Sequence, residues 1–431
     1  MKDMKNLFLI YSLLAVSSLF TACDDSLSSS LTTGSVSIQL SVPTEVEQGT
    51  IISEKIDFKN ISNGRTYTFT SRSGIDLIIG LYDVDYEAHV QLANGAVSTM
   101  QAHVYSVQIA ESGGNVVLLQ AYNNIVADDL IISEVFFSGT LQPSGNQYYG
   151  DDYVKLYNNT DHVIYADGLT FFESKFTTTE KYEYSPNIMG EAMTVQALYT
   201  IPGNGSEHPV APGEYLLLAD TGIDHRVSNP NSFDLSAADF EWYDVSSSPS
   251  NLDIDSPTVP NLDKWYCYTL TYFMLHNRGF KAYGIARIPV EKEAYLRDYY
   301  YTYDYDMITA AGTFPMSQSS YRLPNDWIVD VVNCSVESDY AWNVCAPQLD
   351  CGWTYCGKIN KDKTRYFKSV RRKLLYINDS GNPVLKDTNN SSVDFNAECI
   401  PSEVELQGTA IDFNGTLCTT LTYDGVTPIE Q

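Results

Sequence analysis

The densest chemistry-bearing stretch of this chain is Tyr295-Leu296-Arg297-Asp298-Tyr299-Tyr300-Tyr301-Thr302-Tyr303-Asp304-Tyr305-Asp306. Alternating tyrosine and aspartate sets aromatic faces beside hydrogen-bond acceptors, which suits sugar rings and cationic or planar, haem-like ligands. Tyr299, Tyr301 and Tyr303 are therefore the candidate ligand-binding residues. The competing reading is an amphipathic strand with Thr302, Asp304 and Asp306 outward and Tyr301, Tyr303 and Tyr305 in the core.

Apart from Cys23, every cysteine lies beyond residue 266. In an exported chain, Cys334, Cys345, Cys351, Cys356, Cys399 and Cys418 read as up to three disulfides of unassigned connectivity. Cys267, inside the apolar run Trp265-Tyr266-Cys267-Tyr268, is the expected unpaired thiol. The thiol intervals lack the short repeated gap of structural zinc sites, so no metal is expected there. Asp83-Val84-Asp85-Tyr86-Glu87 and Asp253-Ile254-Asp255 place carboxylates two apart. Calcium takes roughly six to eight oxygens, and neither segment has the glycine-kinked loop that gathers them. Solvated faces are the simpler reading, with Asp253 and Asp255 the better calcium candidates. The 6 histidines are scattered singly. Nucleophile elbows, phosphate-binding loops, dinucleotide fingerprints and His-Glu-x-x-His helices do not occur. The expectation is a protein with no catalytic residues and no cofactor.

The elements that must position these groups read as strands. Across 431 residues, 26 basic side chains face 54 acidic ones, a net charge of −28 that disfavours nucleic-acid binding. One basic stretch runs against this field: Lys358, Lys361, Lys363, Arg365, Lys368, Arg371, Arg372 and Lys373. It reads as pairing with the abundant carboxylates, the alternative being contact with an anionic partner. Val36, Ile38, Leu40 and Val42 alternate with polar residues. Ile56 and Phe58, Tyr67 and Phe69, Ile75 to Tyr82 and Val116 to Ala121 continue the pattern, with turn residues such as Asn63-Gly64 between. Residues 35–123 are expected to form a small β-sandwich, and 129–431 a second. The fold class is all-β.

Residues 1–22 carry two lysines, then an apolar run from Leu7 to Phe20 that is shorter than the about 20 residues a membrane span needs. Phe20-Thr21-Ala22-Cys23 resembles a bacterial lipobox, which implies lipidation of Cys23. Each buried methylene then adds roughly 0.8 kcal/mol of membrane affinity. Residues 23–34 read as a Ser/Thr-rich tether. Asp24 and Asp25 resemble the surface-export signal of lipoproteins in one phylum of Gram-negative bacteria, although elsewhere an Asp after the lipidated Cys marks inner-membrane retention.

Gly80-Leu81-Tyr82-Asp83-Val84-Asp85-Tyr86-Glu87-Ala88 resembles a strand of transthyretin-like or carboxypeptidase-regulatory sandwiches. Ile132-Ser133-Glu134-Val135, Tyr153-Val154-Lys155-Leu156-Tyr157-Asn158, Pro212-Gly213-Glu214-Tyr215-Leu216-Leu217-Leu218, Phe273 to Gly279, Ile328-Val329-Asp330-Val331-Val332, Lys368 to Lys373 and Asp387 to Phe395 follow one another as landmarks do in lamin-tail domains. The second sandwich thus resembles the lamin-tail family, which implies an immunoglobulin-like fold used as an accessory module. Residues 174–210, 221–264, 281–320 and 335–362 exceed that family's usual length and lack clean periodicity, so they read as long loop insertions. The whole chain resembles an uncharacterised family of bacterial surface lipoproteins. The resulting expectation is a lipid-anchored outer-membrane protein, displayed on the cell surface, acting as a binding or accessory subunit beside a nutrient-uptake receptor. Direct capture of a glycan or haem-like small molecule, or a structural or adhesive role, are the alternatives.

Overall fold

The computed structural model describes residues 32–42, 46, 48–92, 97–111, 114–124, 128–408 and 417–429. Cys23, the leader and most of the tether lie outside the described residues. Strands dominate and helices are few and short, so the all-β expectation holds. No helix among the described residues is long and apolar enough to cross a membrane.

The chain divides into two compact units. The first takes its described residues from 32–41, 55–86 and 102–120, and the second takes the remainder. The amino-terminal strands are β1 (Thr33–Ser41), β2 (Thr50–Asn60), β3 (Thr66–Phe69), β4 (Ile75–Ile78), β5 (Gly80–Gln91), β6 (Val97–Ile109), β7 (Asn115–Gln120) and β8 (Tyr122–Asn124). They form a three-stranded sheet, β4-β1-β7, and a five-stranded sheet, β3-β2-β5-β6-β8. Period-two alternation drives this: in β5, Tyr82, Val84, Tyr86, Ala88 and Val90 are buried while Asp85 and Glu87 are exposed. The acidic residues of that segment therefore lie on its outer face, as a solvated face requires.

The large unit continues with β9 (Ile131–Phe136), β10 (Tyr153–Tyr157), β11 (Ile164–Tyr165), β12 (Leu169–Ser174), β13 (Ala192–Thr200), β14 (Pro209–Val210), β15 (Tyr215–Ala219), β16 (Phe240–Glu241) and β17 (Asp263–Cys267). There follow β18 (Ala282–Arg287), α1 (Lys292–Asp298), β19 (Tyr300–Thr309), β20 (Gly312–Pro324), β21 (Ile328–Ser335) and β22 (Thr354–Tyr355). The last elements are β23 (Ser369–Arg372), β24 (Leu374–Ile377), β25 (Pro383–Leu385), α2 (Ser391–Asp394), β26 (Phe395–Cys399) and α3 (Ser402–Gln407). One sheet has the order β16-β15-β10-β9-β23-β26. The other runs β19-β20-β13-β12-β18-β21-β22, with β17 also paired to β13.

Between these sheets lies the main core, built from Ile132, Val154, Leu156, Leu216 and Leu218 of the first and Phe171, Tyr199, Tyr283, Ile285 and Val332 of the second. The outer faces are covered too. Phe233, Leu235 and Val259 pack on Phe136, Tyr153 and Leu217. Tyr295 of α1 packs with Phe172, Val195 and Leu323. This explains why every residue of β10, β12 and β13 is buried, as in sheets covered on both sides. The insertions expected as long loops are thus largely these covering layers. Residues 281–320 in particular form a strand, a helix and most of a hairpin rather than an irregular loop.

Several landmark segments meet at one buried charge cluster. Arg372 donates from Nη2 to Asp330 Oδ2 at 2.5 Å, from Nη1 to Asp387 Oδ1 at 3.1 Å and from Nε to the Ile132 carbonyl at 2.8 Å. Arg371 pairs with Glu405 at 2.9 Å and Lys368 with Glu398 at 2.9 Å. Lys368, Arg371 and Arg372 are therefore spent on internal carboxylates, and Lys373 Nζ donates to the Val393 carbonyl at 2.8 Å.

Candidate functional site

The tyrosine-rich segment splits at Tyr299, which ends α1. Its ring stacks on Tyr295 at 5.1 Å and sits 5.0 Å from Trp327, and it lines neither the cavity nor the trough described below. From Tyr300 the chain becomes β19 and pairs with β20, placing Tyr301 opposite Ser320, Tyr303 opposite Gln318 and Tyr305 opposite Met316. Alternation sends these three rings to one face and Thr302, Asp304 and Asp306 to the exposed one.

Residues 176–187 cross this face. Ser185 and Asp304 exchange backbone hydrogen bonds of 2.9 Å each. Phe176 and Tyr184 stack at 3.9 Å between centroids, and Tyr303 meets them edge-on at 5.3 and 5.5 Å. Trp342 closes the far side, its indole N–H donating to the Thr177 carbonyl at 2.9 Å. The result is a cavity of about 330 Å³ lined by Phe176, Tyr184, Tyr301, Trp342, Lys181 and Glu183. Beyond the crossing segment lies an open trough of about 500 Å³ lined by Glu183, Asp304, Tyr305 and Asp306.

Of the three expected tyrosines, Tyr301 lines the cavity and bonds to the Thr194 hydroxyl. Tyr303, 2% exposed, backs its wall. Burial raises the phenols of Tyr184, Tyr301 and Tyr303, so they remain hydrogen-bond donors at neutral pH. Lys181 Nζ lies 5.9 Å from the Trp342 ring. Sequence reasoning missed Phe176, Tyr184 and Trp342. The signal available was their density in two segments without periodicity, where aromatic residues have no strand face to explain them.

The six thiols expected in three bridges form no disulfide. Cys334 is in register with Thr354 in the parallel β21–β22 pair, so Cys356 is a diagonal neighbour two residues along the same face. Cys345 Sγ accepts from Asn333 Nδ2 at 3.2 Å, and Cys399 Sγ lies 3.3 Å from the Asn396 carbonyl. Cys351 is exposed, whereas Cys334, Cys356 and Cys418 are buried. Burial pushes the Cys399 thiol up to about 12, and Cys267, also a thiol, to about 11.

Three ligand-type side chains, Asp167, Glu207 and His208, bring oxygen and nitrogen atoms within 4.8 Å of one another. Asp167 is already engaged: its oxygens accept the N–H groups of Gly205, Glu207 and His208 at 3.1, 2.9 and 2.9 Å. Desolvation opposes ionisation there, but these donors outweigh it and bring the carboxyl down to about 2. This is a loop clamp. Asp253 likewise accepts from the N–H groups of Asp244 and Ile254 at 2.8 and 3.0 Å, and Asp255 from Asn261 at 3.0 Å. The two carboxylates brought forward as calcium candidates are thus separately occupied.

Among curated proteins no match is found. The fold is similar to the crystal structure, at 2.50 Å resolution, of a DUF4876 family protein from Bacteroides thetaiotaomicron VPI-5482. The TM-score is 0.56 at 21% identity, over 86% of this chain and 95% of that one. Residues 211–402, from the approach to β15 to the start of α3 and including the β19–β20 hairpin and Trp342, match the family described as "Protein of unknown function (DUF4876)".

Proposed function

We propose that this chain is a non-catalytic, lipid-anchored protein of the bacterial outer-membrane surface that captures a saccharide in the aromatic cavity, working as a binding subunit beside a nutrient-uptake receptor. One observation carries the saccharide reading: the stacked Phe176–Tyr184 pair and Trp342 wall a cavity that shares Glu183 with an acidic trough. Aromatic faces take the apolar face of a pyranose ring, while Glu183, at the edge shared by cavity and trough, accepts from its hydroxyls. The cavity, about 330 Å³, favours one or two sugar units over a porphyrin. The lipobox-like Phe20-Thr21-Ala22-Cys23 supports the location and the absence of catalytic motifs supports a binding role.

The test is a glycan array probed with the full-length chain in detergent, followed by calorimetry on each hit. Tyr184→Ala and Trp342→Ala are expected to weaken binding at least about tenfold, the loss of roughly 1.4 kcal/mol of contact. Tyr299→Ala should bind as the parent does. A flat array, or hits indifferent to both cavity substitutions, removes the proposal.

A further inference from the structure

Two facing carboxylates, Asp152 and Asp220, each keep a buried oxygen without a hydrogen-bond partner among the described residues. Asp152 immediately precedes β10 and Asp220 immediately follows β15. The antiparallel register pairs Tyr153 with Ala219, and the Asp220 N–H donates to the Asp152 carbonyl at 2.9 Å. The ladder therefore runs one step further and sets the two aspartates directly opposite each other. Facing residues in such a pair point the same way, with β-carbons roughly 4.5–5.5 Å apart. The period of two gives the direction. Val154, Leu156, Leu216 and Leu218 belong to the core between the sheets, so Asp152 and Asp220 point into that same interior. They are 6% and 3% exposed. Asp152 Oδ1 and Asp220 Oδ2 have no hydrogen-bond partner among the described residues.

Apart from the Gly139 N–H, which donates to Asp152, the neighbours add negative charge rather than relieving it. Asp151, Glu241 and Asp253 all act on Asp220 in the same unfavourable sense. Their own oxygens are taken: Asp151 by the Ser232 hydroxyl at 2.6 Å and by Thr140, and Glu241 by the N–H groups of Gly222 and Ser256 at 2.6 Å each. Both nitrogens of nearby His225 are engaged, Nδ1 with the Tyr148 hydroxyl at 3.0 Å and Nε2 with the Thr221 carbonyl at 2.9 Å. Other oxygens crowd the same corner. A β-carbon on Gly139 would sit 3.2 Å from the Tyr148 carbonyl oxygen, 3.4 Å from Asp151 Oδ1 and 3.5 Å from Asp152 Oδ1. One on Gly150 would meet Thr221 Oγ1 at 3.3 Å. Two like charges facing each other out of water are strongly unfavourable unless something positive stands between them.

We propose that Asp152 and Asp220 bind a divalent cation of the calcium class between the ends of β10 and β15, with neighbouring carbonyl, hydroxyl and water oxygens completing its shell. The donors are oxygens throughout, the preference of a hard cation rather than of zinc. Because the ligands sit on adjacent strands of a packed sheet, the ion would tie β10 to β15 at the rim of the main core.

The test uses the full-length chain in detergent, stripped with EDTA and titrated with calcium chloride, read by melting temperature. Terbium luminescence sensitised by Trp242 and Tyr148 is the second readout. Calcium is expected to raise the melting temperature of the parent, since binding to the folded form alone stabilises it, and to displace terbium. Asp220→Asn and Asp152→Asn should each lose the calcium shift and at least about tenfold of terbium affinity. In EDTA both variants should melt above the parent, because the repulsion is gone, which also reports that they fold. A parent indifferent to EDTA, calcium and terbium overturns the proposal and assigns the pair a shared proton. A calcium response that survives in both variants overturns the location.

Discussion

Arg372 is 2% exposed and serves three carboxylates, with Asp330 and Asp387 within hydrogen-bond reach and Asp394 at 3.9 Å. Burial pushes the carboxyls of Asp330 and Asp394 up, and the guanidinium pulls them back, helped by the Ile132 N–H on Asp330 and by the Thr388 N–H and hydroxyl on Asp394. Its removal leaves uncompensated buried charge, so Arg372→Met should cost about 3–5 kcal/mol in urea unfolding. Asp387→Asn, which leaves the Asp330 contact intact, should cost less. A change under 1 kcal/mol (about the value of an exposed pair) for Arg372→Met would refute the keystone role. At this scale the sequence was legible where chemistry is local: Asp330, Arg372, Asp387 and Asp394 all lie in landmark segments. It was illegible where register decides. Cys334 and Cys356 are two of the six thiols expected in up to three bridges of unassigned connectivity, and a parallel pairing two residues out of step makes them diagonal neighbours.

Among the elements, β12 and β18 show how closely the second sheet is built. Phe172 lies opposite Gly284, and a β-carbon there would come within 2.2 Å of the Phe172 ring. Gly284→Ala must therefore displace that ring, and overpacking of this kind costs about 1–3 kcal/mol. Urea unfolding should show the loss, and Gly284→Ala with Phe172→Leu should recover part of it. Failure of the double variant to recover would place the strain elsewhere. Strands such as β1, β2 and β7 were readable from alternation, because burial imposes that pattern directly, whereas β9, β10 and β15 were placed by their resemblance to lamin-tail landmarks. The covering layers were not. Phe233, Leu235 and Val259 sit in irregular backbone, where no period marks the side that faces inward. The cavity suffers from the same blindness, since Phe176, Tyr184 and Trp342 are brought together by crossing segments rather than by one strand.

For the molecule as a whole, the excess of acid makes stability depend on pH in a definite sense. Burial pushes Glu173 up to about 7, with Lys281 and Gln196 only partly offsetting it. Folded Glu173 thus keeps a proton that the unfolded chain has released above 4.5, so stability falls as pH rises through that window. Asp330 and Asp394 act in the same direction. Lys281, drawn by burial down to about 8, contributes a rise with pH only above that value. Asp167, held at about 2, withdraws its support only in stronger acid. In EDTA, the melting temperature is expected to be higher at about pH 5.5 than at about pH 7.5, and Glu173→Gln should flatten the slope. A melting temperature that climbs over this interval would contradict the account.

The hairpin strand β19 stands at the end of its sheet, and Ser185 meets it at Asp304 alone through an isolated bridge. An open strand edge is a template on which a second chain can polymerise. Here Asp304 and Asp306 are exposed, along with Tyr300, Thr302, Ile308 and Thr309, and carboxylates along a free edge repel an incoming copy that carries the same ones. The aspartates that accompany the tyrosines thus act as gatekeepers against fibre growth, a safeguard for a chain that the proposed lipid anchor would concentrate on a membrane surface.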